Sequence, residues 1–225
     1  MRLVLAIESS SRTYAVAAGA GERPQATFAS RRDDPTFLGV GDLAARALAA
    51  SEATFSDIET IAVDIGPGGL SSIRAAVAYA NGLAFSLGVQ VFPMTSLELM
   101  AIAAEQAHRG PRPCLNPLLC LKRGQGGNAY AGLFVNGEAA ELLHGPPGSV
   151  VPALAAALQT VRVAGMAAGD VAGLLPGVAV EDTGIPDADV TVLYQAARAA
   201  GASADRLAAA AVPVNEASLL FRSLP

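Results

Sequence analysis

The 225-residue sequence has no tryptophan, only two histidines and two cysteines, and an aromatic content of 5%. So few aromatics poorly supply a platform for stacking the bases of a single-stranded nucleic acid. His108 and His144 are far apart in the chain. Neither H-x-x-x-H nor C-x-x-C occurs, so no metal-ligand spacing is present. No G-x-S-x-G elbow occurs either, and no residue pattern points to a Ser-His-Asp site. Cys114 and Cys120 read as small apolar fillers in or near a strand, and so low a cysteine content fits a reducing cytoplasm. Charge is scarce as well. Charged residues make up 16%, and 15 Lys+Arg against 20 Asp+Glu leave a net charge of −5. That excludes attraction to a phosphate backbone by charge alone. With 52% hydrophobic residues, it also excludes a disordered chain. The uncharged stretch from Ala75 to Leu97 is broken by Asn81, Gly82, Ser86, Gly88, Gln90 and Pro93. It reads as a helix followed by a strand, not as a membrane span. The opening MRLVLAIESSSR lacks the length and the small-residue cleavage site of a secretory leader and reads as a first strand.

What the chain does have is alanine, glycine and a clear alternation of elements. Arg2–Ser9 suits a strand buried on both faces, and Tyr14–Ala18 and Gln25–Ser30 continue it as a meander through Gly19, Gly21 and Pro24. Thr36 is expected to cap a helix reaching Ala50. Thr60–Ile65 is the next strand, ended by Gly66-Pro67-Gly68-Gly69. A helix from Leu70 to Leu87 follows, closed by Gly88. Val89–Phe92 is a short strand, and Ser96 caps another helix. The proline-rich stretch His108–Pro117 marks a boundary between lobes, giving domains 1–107 and 108–225, with the C-terminal tail free to pack back on the first. Leu118–Leu121 and Ala129–Val135 are strands, and Asn136-Gly137 is a two-residue hairpin signal that returns Glu138–Leu143 antiparallel. Helices near Pro152–Leu158, Ala168–Leu174, Val190–Ala200 and Ala204–Ala211 alternate with strands at Val161–Ala164 and Val178–Val180. Meander followed by helix and strand occurs twice, which predicts two α/β lobes of similar plan.

The glycine-rich turn Gly66, Pro67, Gly68, Gly69 between strand and helix is the most informative local feature. Backbone amides at a helix start can bind an anion. A Walker loop needs a lysine that is absent here, and a dinucleotide fingerprint needs a third glycine where Ser71 stands. A second reading is a tight turn that packs helix closely on sheet. A third is a turn that presents the helix to another protein. The helix itself favours the third. Leu70, Ile73, Val77, Ala80, Ala84 and Leu87 form a stripe suited to a sheet. The other side, with Ala75, Ala78, Tyr79, Gly82 and Ser86, carries no charge after Arg74. A surface helix normally shows water a charged face. Burial under the second lobe and burial against another molecule both remain open. Glu8 and Asp64, at strand ends, are the carboxylates best placed for a cleft. Either could hold a metal-bound water or act as a base, and each is expected to be held by nearby backbone.

At these residues the sequence resembles the TsaB (YeaZ) family. LAIESSSRTYAVA is similar to the family's first hairpin. IETIAVDIGPGGLSSIRAAVAYANGLAFSLGVQVFPMTSLELMA resembles its long signature, with Gly66, Pro67, Gly68, Arg74, Gly82, Leu83, Ala84, Leu87, Gly88, Ser96 and Leu97 in place. The match covers roughly the first half of the chain. In the second half only Ala129–Phe134 is similar, to the strand after the family's D-A-R-x-x-E-V segment. Departures are clear. The usual Asp of I-D-T-S is Glu8, S-F-T-G is Gly69-Leu70-Ser71-Ser72, and Arg123–Asn128 replaces D-A-R-x-x-E, losing both acids and the arginine. The histidine often found before the first long helix is absent around Thr36.

The resemblance implies a two-lobed actin/Hsp70-like (ASKHA) α/β fold and a part in threonylcarbamoylation (t6A) of the adenosine 3′ of the anticodon in tRNAs reading ANN codons. It implies no catalysis by this subunit itself, and neither a cofactor nor a metal. The subunit would pair with a TsaD-type transferase joined by a TsaE-type ATPase, form a homodimer in isolation, meet tRNA only through the complex, and work in the cytoplasm away from membranes. The interface expected on this basis comprises Phe37, Leu38, Gly41, Ala45, Ser71, Ser72, Arg74, Ala75, Ala78, Tyr79 and Gly82, beside the glycine-rich turn. The rival classes are an independent actin-like enzyme that binds ATP and, least favoured for want of a histidine pair, a peptidase.

Overall fold

A computed structural model describes residues 3–11, 13–108, 116–201, 207–208, 210–214 and 220–224. The chain divides into two compact units, Met1–Thr95 with Asp189–Pro213 and Ser96–Ala188 with Val214–Pro225. Each unit is a mixed sheet with helices, so the fold is the two-lobed α/β plan expected from the sequence.

In the first unit, β1 (Leu3–Glu8), β2 (Thr13–Gly19) and β3 (Ala26–Arg31) form an antiparallel meander. Helix α1 (Val40–Ala50) leads through a short 3-10 turn to β4 (Ile58–Asp64), which lies parallel to β1. Helix α2 (Leu70–Leu87) then leads to β5 (Gln90–Met94), parallel to β4. The strand order is β3-β2-β1-β4-β5. Every residue of β1 is buried, because the strand is central and covered on both faces. Leu3, Leu5 and Ile7 join Val16, Ile61 and Val63 in one core with Leu43, Ala44, Ala47 and Leu48 of α1 and Ile73, Ala76, Val77, Ala80 and Ala84 of α2. Helix α6 (Val190–Ala200) returns late in the chain to contact β1, β2 and β4.

The second unit repeats the plan. β6 (Leu118–Arg123), β7 (Ala129–Val135) and β8 (Glu138–Gly145) are the meander. Helix α4 (Pro147–Ala155) leads to β9 (Thr160–Ala164), and α5 (Ala168–Ala172) to β10 (Ala179–Asp182). β9 pairs parallel with β6, and β10 with β9, giving the order β10-β9-β6-β7-β8 with a short β11 (Arg222–Ser223) beyond β8. Helix α3 (Ser96–Ala107) contacts β6, β7 and β9, as α6 does for the corresponding strands of the first unit. The turn at Asn136-Gly137 has φ of 54° and 81°, the paired positive values that a tight two-residue hairpin demands.

Three local expectations are corrected. Thr36 does not cap α1. Its N–H and hydroxyl both donate to Asp34 Oδ1 at 2.7 Å, forming a side-chain-closed turn, and the helix starts only after Gly39. Phe37 and Leu38 therefore precede the helix. Helix α4 begins at Pro147 instead of Pro152, because Pro147 supplies the preset φ favoured in a first helical turn. The helix expected over Ala204–Ala211 is not found at Ala208, which is extended. Ala208 exchanges backbone hydrogen bonds of 2.8 and 2.9 Å with Val91 and so covers the free edge of β5. Residues 204–206 and Cys114 lie outside the described residues.

Candidate partner-binding face

Helix α2 is bounded by glycine at both ends. Gly69 is its N-cap with no side-chain cap, and Gly88 closes it in the left-handed conformation at φ 67°. The turn before it is tied to the loop after β1. Gly69 N–H donates to the Ser10 carbonyl at 2.9 Å, and a β-carbon on Gly68 would overlap that same oxygen. Ser9 Oγ–H donates to the Ser72 carbonyl at 3.2 Å. Glycine at 68 therefore sets how closely the helix start approaches the first hairpin.

Two amides of this turn, those of Gly66 and Gly69, are used internally. Gly66 N–H donates to Asp64 Oδ1 at 2.8 Å, and the amides of Ser72 and Ile73 donate to the Gly69 carbonyl at 2.9 and 3.0 Å. Ser10 N–H and Oγ–H both donate to Glu8 Oε1, at 2.7 and 2.6 Å. The two buried strand-end carboxyl groups, Glu8 and Asp64, thus organise the loops around them.

The outer face of α2 is a different surface. Ser71, Arg74, Ala75, Ala78, Gly82, Phe85 and Ser86 are exposed, whereas Ile73, Ala76, Val77, Ala80 and Ala84 are buried against the sheet. Arg74 is the sole charge among the helix's eighteen residues. A side chain at Gly82 would meet open space among the described residues. Phe85 is 91% exposed. It is not among the expected interface residues, although it follows Gly82 by three positions and Ala78 by seven and so shares their face. An isolated exposed apolar residue is ordinary, but a phenylalanine on an uncharged helical face next to small residues is not.

Helix α1 stands alongside. A β-carbon on Gly41 would touch the Tyr79 ring at 3.4 Å, so glycine there admits the ring between the helices. Burial, with Asp42 nearby, pushes the Tyr79 hydroxyl up from its ordinary pKa. Ala45 is exposed on α1. Phe37 is 37% exposed and lies against Tyr14, ring centroids 5.3 Å apart. Leu38 is half-buried against the core. Of the expected interface residues, Ser72 alone is fully buried, and its hydroxyl accepts from Arg32 Nη1.

Elsewhere the candidate chemistry is sparse. Among the described residues, no three His, Cys, Asp or Glu side chains gather as a metal site would require. Burial pushes the Cys120 thiol far above its ordinary pKa, with Arg162 pulling the other way, so it stays protonated and inert. The divergent loop at Arg123–Asn128 closes on itself through Gly124 N–H to the Asn128 carbonyl at 2.8 Å, with Gly126 and Gly127 at positive φ. Among the described residues, no helix is long and apolar enough to cross a membrane.

The family model for TsaD, tRNA N6-adenosine threonylcarbamoyltransferase, matches residues 39–158. No curated protein matches the chain by sequence. Among solved structures, YeaZ from Pseudomonas aeruginosa is similar at a TM-score of 0.74 and 21% identity over 96% of this chain and 100% of its own. A Pseudomonas aeruginosa protein described as similar to peptidase YeaZ gives 0.73 and 22% over 96% and 99%. At these identities the likeness is one of fold.

Proposed function

Because this chain belongs to the TsaD family of tRNA N6-adenosine threonylcarbamoyltransferase domains and has the YeaZ fold, we propose that it is a non-catalytic scaffold subunit of t6A formation. It dimerises with a TsaD-type transferase and activates it on tRNAs reading ANN codons. A TsaE-type ATPase joins the pair, the isolated chain forms a homodimer, tRNA is met only through the complex, and the setting is the cytoplasm. The observation that carries this reading is the exposed, nearly uncharged face of α2, with Ala75, Ala78, Gly82 and Phe85 open to solvent. Small residues let a partner helix approach closely, and covering one large apolar side chain gives roughly 1.5–3 kcal/mol.

The internal use of the Ser10, Gly66 and Gly69 amides supports the scaffold over the independent ATP-binding enzyme. The test is Ala78→Asp. Ala78 is exposed, so folding stability should stay within about 0.5 kcal/mol of wild type. Buried in the pairing, the new carboxylate would lack a partner, which costs about 3–5 kcal/mol. Co-purification with the transferase should be lost, and t6A formation by the mixture should fall with it. Wild-type affinity in Ala78→Asp would reject the reading.

A further inference from the structure

The second sheet carries a strand for which the first has no counterpart. Among the described residues nothing pairs beyond β3, whereas β11 lies beyond β8, the matching edge. Arg222 and Ser223 of β11 stand opposite Leu143 and His144 in parallel register. The Leu224 N–H donates to the His144 carbonyl at 2.7 Å. Phe221 is 6% exposed and meets the Tyr130 ring edge-on, centroids 5.2 Å apart. Tyr130 lies in turn against His144 at 4.6 Å. Arg222 pairs with Glu141. A β-carbon on Gly145 would stand 2.5 Å from the Leu224 carbonyl oxygen, so glycine there makes room for the passing backbone. These ties are few: one buried ring, a two-residue ladder and an exposed ion pair, which by itself contributes little. Such a segment belongs to the low end of local stabilities and can open without the sheet. The edge beneath it is another matter, because an unpaired edge is a template for a further strand. Glu138 and Glu141 blunt the first half of β8 with charge, but residues 142–145 contain no Asp, Glu, Lys or Arg.

We propose that residues 220–224 are an exchangeable strap over a strand-addition site on β8, and that a second copy of this chain docks there by supplying the same residues. The site calls for a ring against Tyr130, a cation at Glu141 and a backbone passing Gly145, and Phe221, Arg222 and Leu224 meet those needs in order. A second copy carries the same three residues, so the exchange remakes every contact between chains, which is a low-cost route to a dimer. Within a single chain the tether favours the chain's own strap, so exchange follows its displacement. The inference stands apart from the scaffold reading, since β8 and the strap lie in the second unit and α2 in the first.

The experiment mixes two chains, neither able to close its own strap. One lacks residues 220–225 and offers an open edge. The other is Gly145→Ala, which keeps the strap but obstructs the edge beneath it. Both carry Ala78→Asp, so that a pairing through the outer face of α2 does not add to the readout. Light scattering should give the mass of a single chain for each alone and of a pair for the mixture. Adding Phe221→Asp to the Gly145→Ala chain should abolish the pair, because a carboxylate would replace the ring against Tyr130. Circular dichroism checks the fold of each chain. If the deletion does not fold, full-length Phe221→Asp serves as the open-edge chain. If Gly145→Ala does not fold, a labelled peptide of residues 219–225 serves as the strap, and it should bind the open-edge chain but not the wild type. No complex in the mixture overturns the proposal, as does a complex that survives Phe221→Asp. Self-association of the open-edge chain alone assigns the bare edge to edge-to-edge pairing and also overturns it. The scaffold reading is tested by Ala78→Asp against the transferase, so either idea can fail while the other stands.

Discussion

A β-carbon on Gly68 would occupy the space of the Ser10 carbonyl oxygen, which already accepts the Gly69 amide. The obstacle is backbone on both sides, so no side-chain rearrangement can relieve it. Gly68→Ala must therefore push the turn away from the first hairpin, and with it the start of α2. Strain of this kind costs on the order of 1–3 kcal/mol, to be read as a lower midpoint in urea. Gly82→Ala is the control, because the space there is open. Within the helix it should leave stability equal or raise it by up to about 1 kcal/mol. Equal midpoints for Gly68→Ala and wild type would show that the close approach is not needed. The requirement at residue 68 was visible in the sequence only as one glycine among several. Which glycine touches backbone depends on the hairpin that folds against it.

At the scale of the element, the bounds of α2 were legible because glycine marks both of its ends and its buried stripe keeps a helical period. The start of α1 was misplaced because Asp34 competes for the Thr36 donors, a local side-chain turn that looks like a cap in sequence. The proposed partner face is marked in the sequence by an absence of charge, which identifies a side of the helix but not its largest exposed residue. Phe85 is that residue by size and exposure. Large aromatics dominate the energetics of interfaces. Phe85→Ser should thus lower transferase affinity by on the order of tenfold or more, about 1.4 kcal/mol for each factor of ten. The thermal midpoint of the isolated chain should stay unchanged, because Phe85 contributes little to its own core. Titration of the transferase against wild type and variant measures the first, and a thermal melt the second. A fall in the midpoint without a change in affinity would place Phe85 in the fold and not in the contact.

At the scale of the molecule, the duplication of plan was legible and its detail was not. Meander, helix, strand, helix, strand recurs with the same strand order about β1 and about β6. The helix that contacts the central strands is α3 in the second unit, where it directly precedes β6, and α6 in the first, which it rejoins after the strands of the second. Neither that return of α6 nor the bridge of Ala208 to Val91 leaves a periodic signature, since both depend on contacts distant in sequence. A fold of this class can host a nucleotide, so fold alone does not separate scaffold from enzyme. The loops do bear on it. Among the described residues, the amides of Ser10, Gly66 and Gly69 all donate within the protein, and Glu8 and Asp64 lie beside them. A triphosphate bound at those three amides would have to replace these bonds, each worth about 0.5–1.5 kcal/mol. Calorimetry of the isolated chain with ATP and Mg²⁺ is therefore expected to show no micromolar site. Adding the chain to a TsaD-type transferase should raise its t6A yield. A micromolar ATP site on the isolated chain, together with a t6A yield indifferent to its presence, would place this protein among independent actin-like enzymes instead.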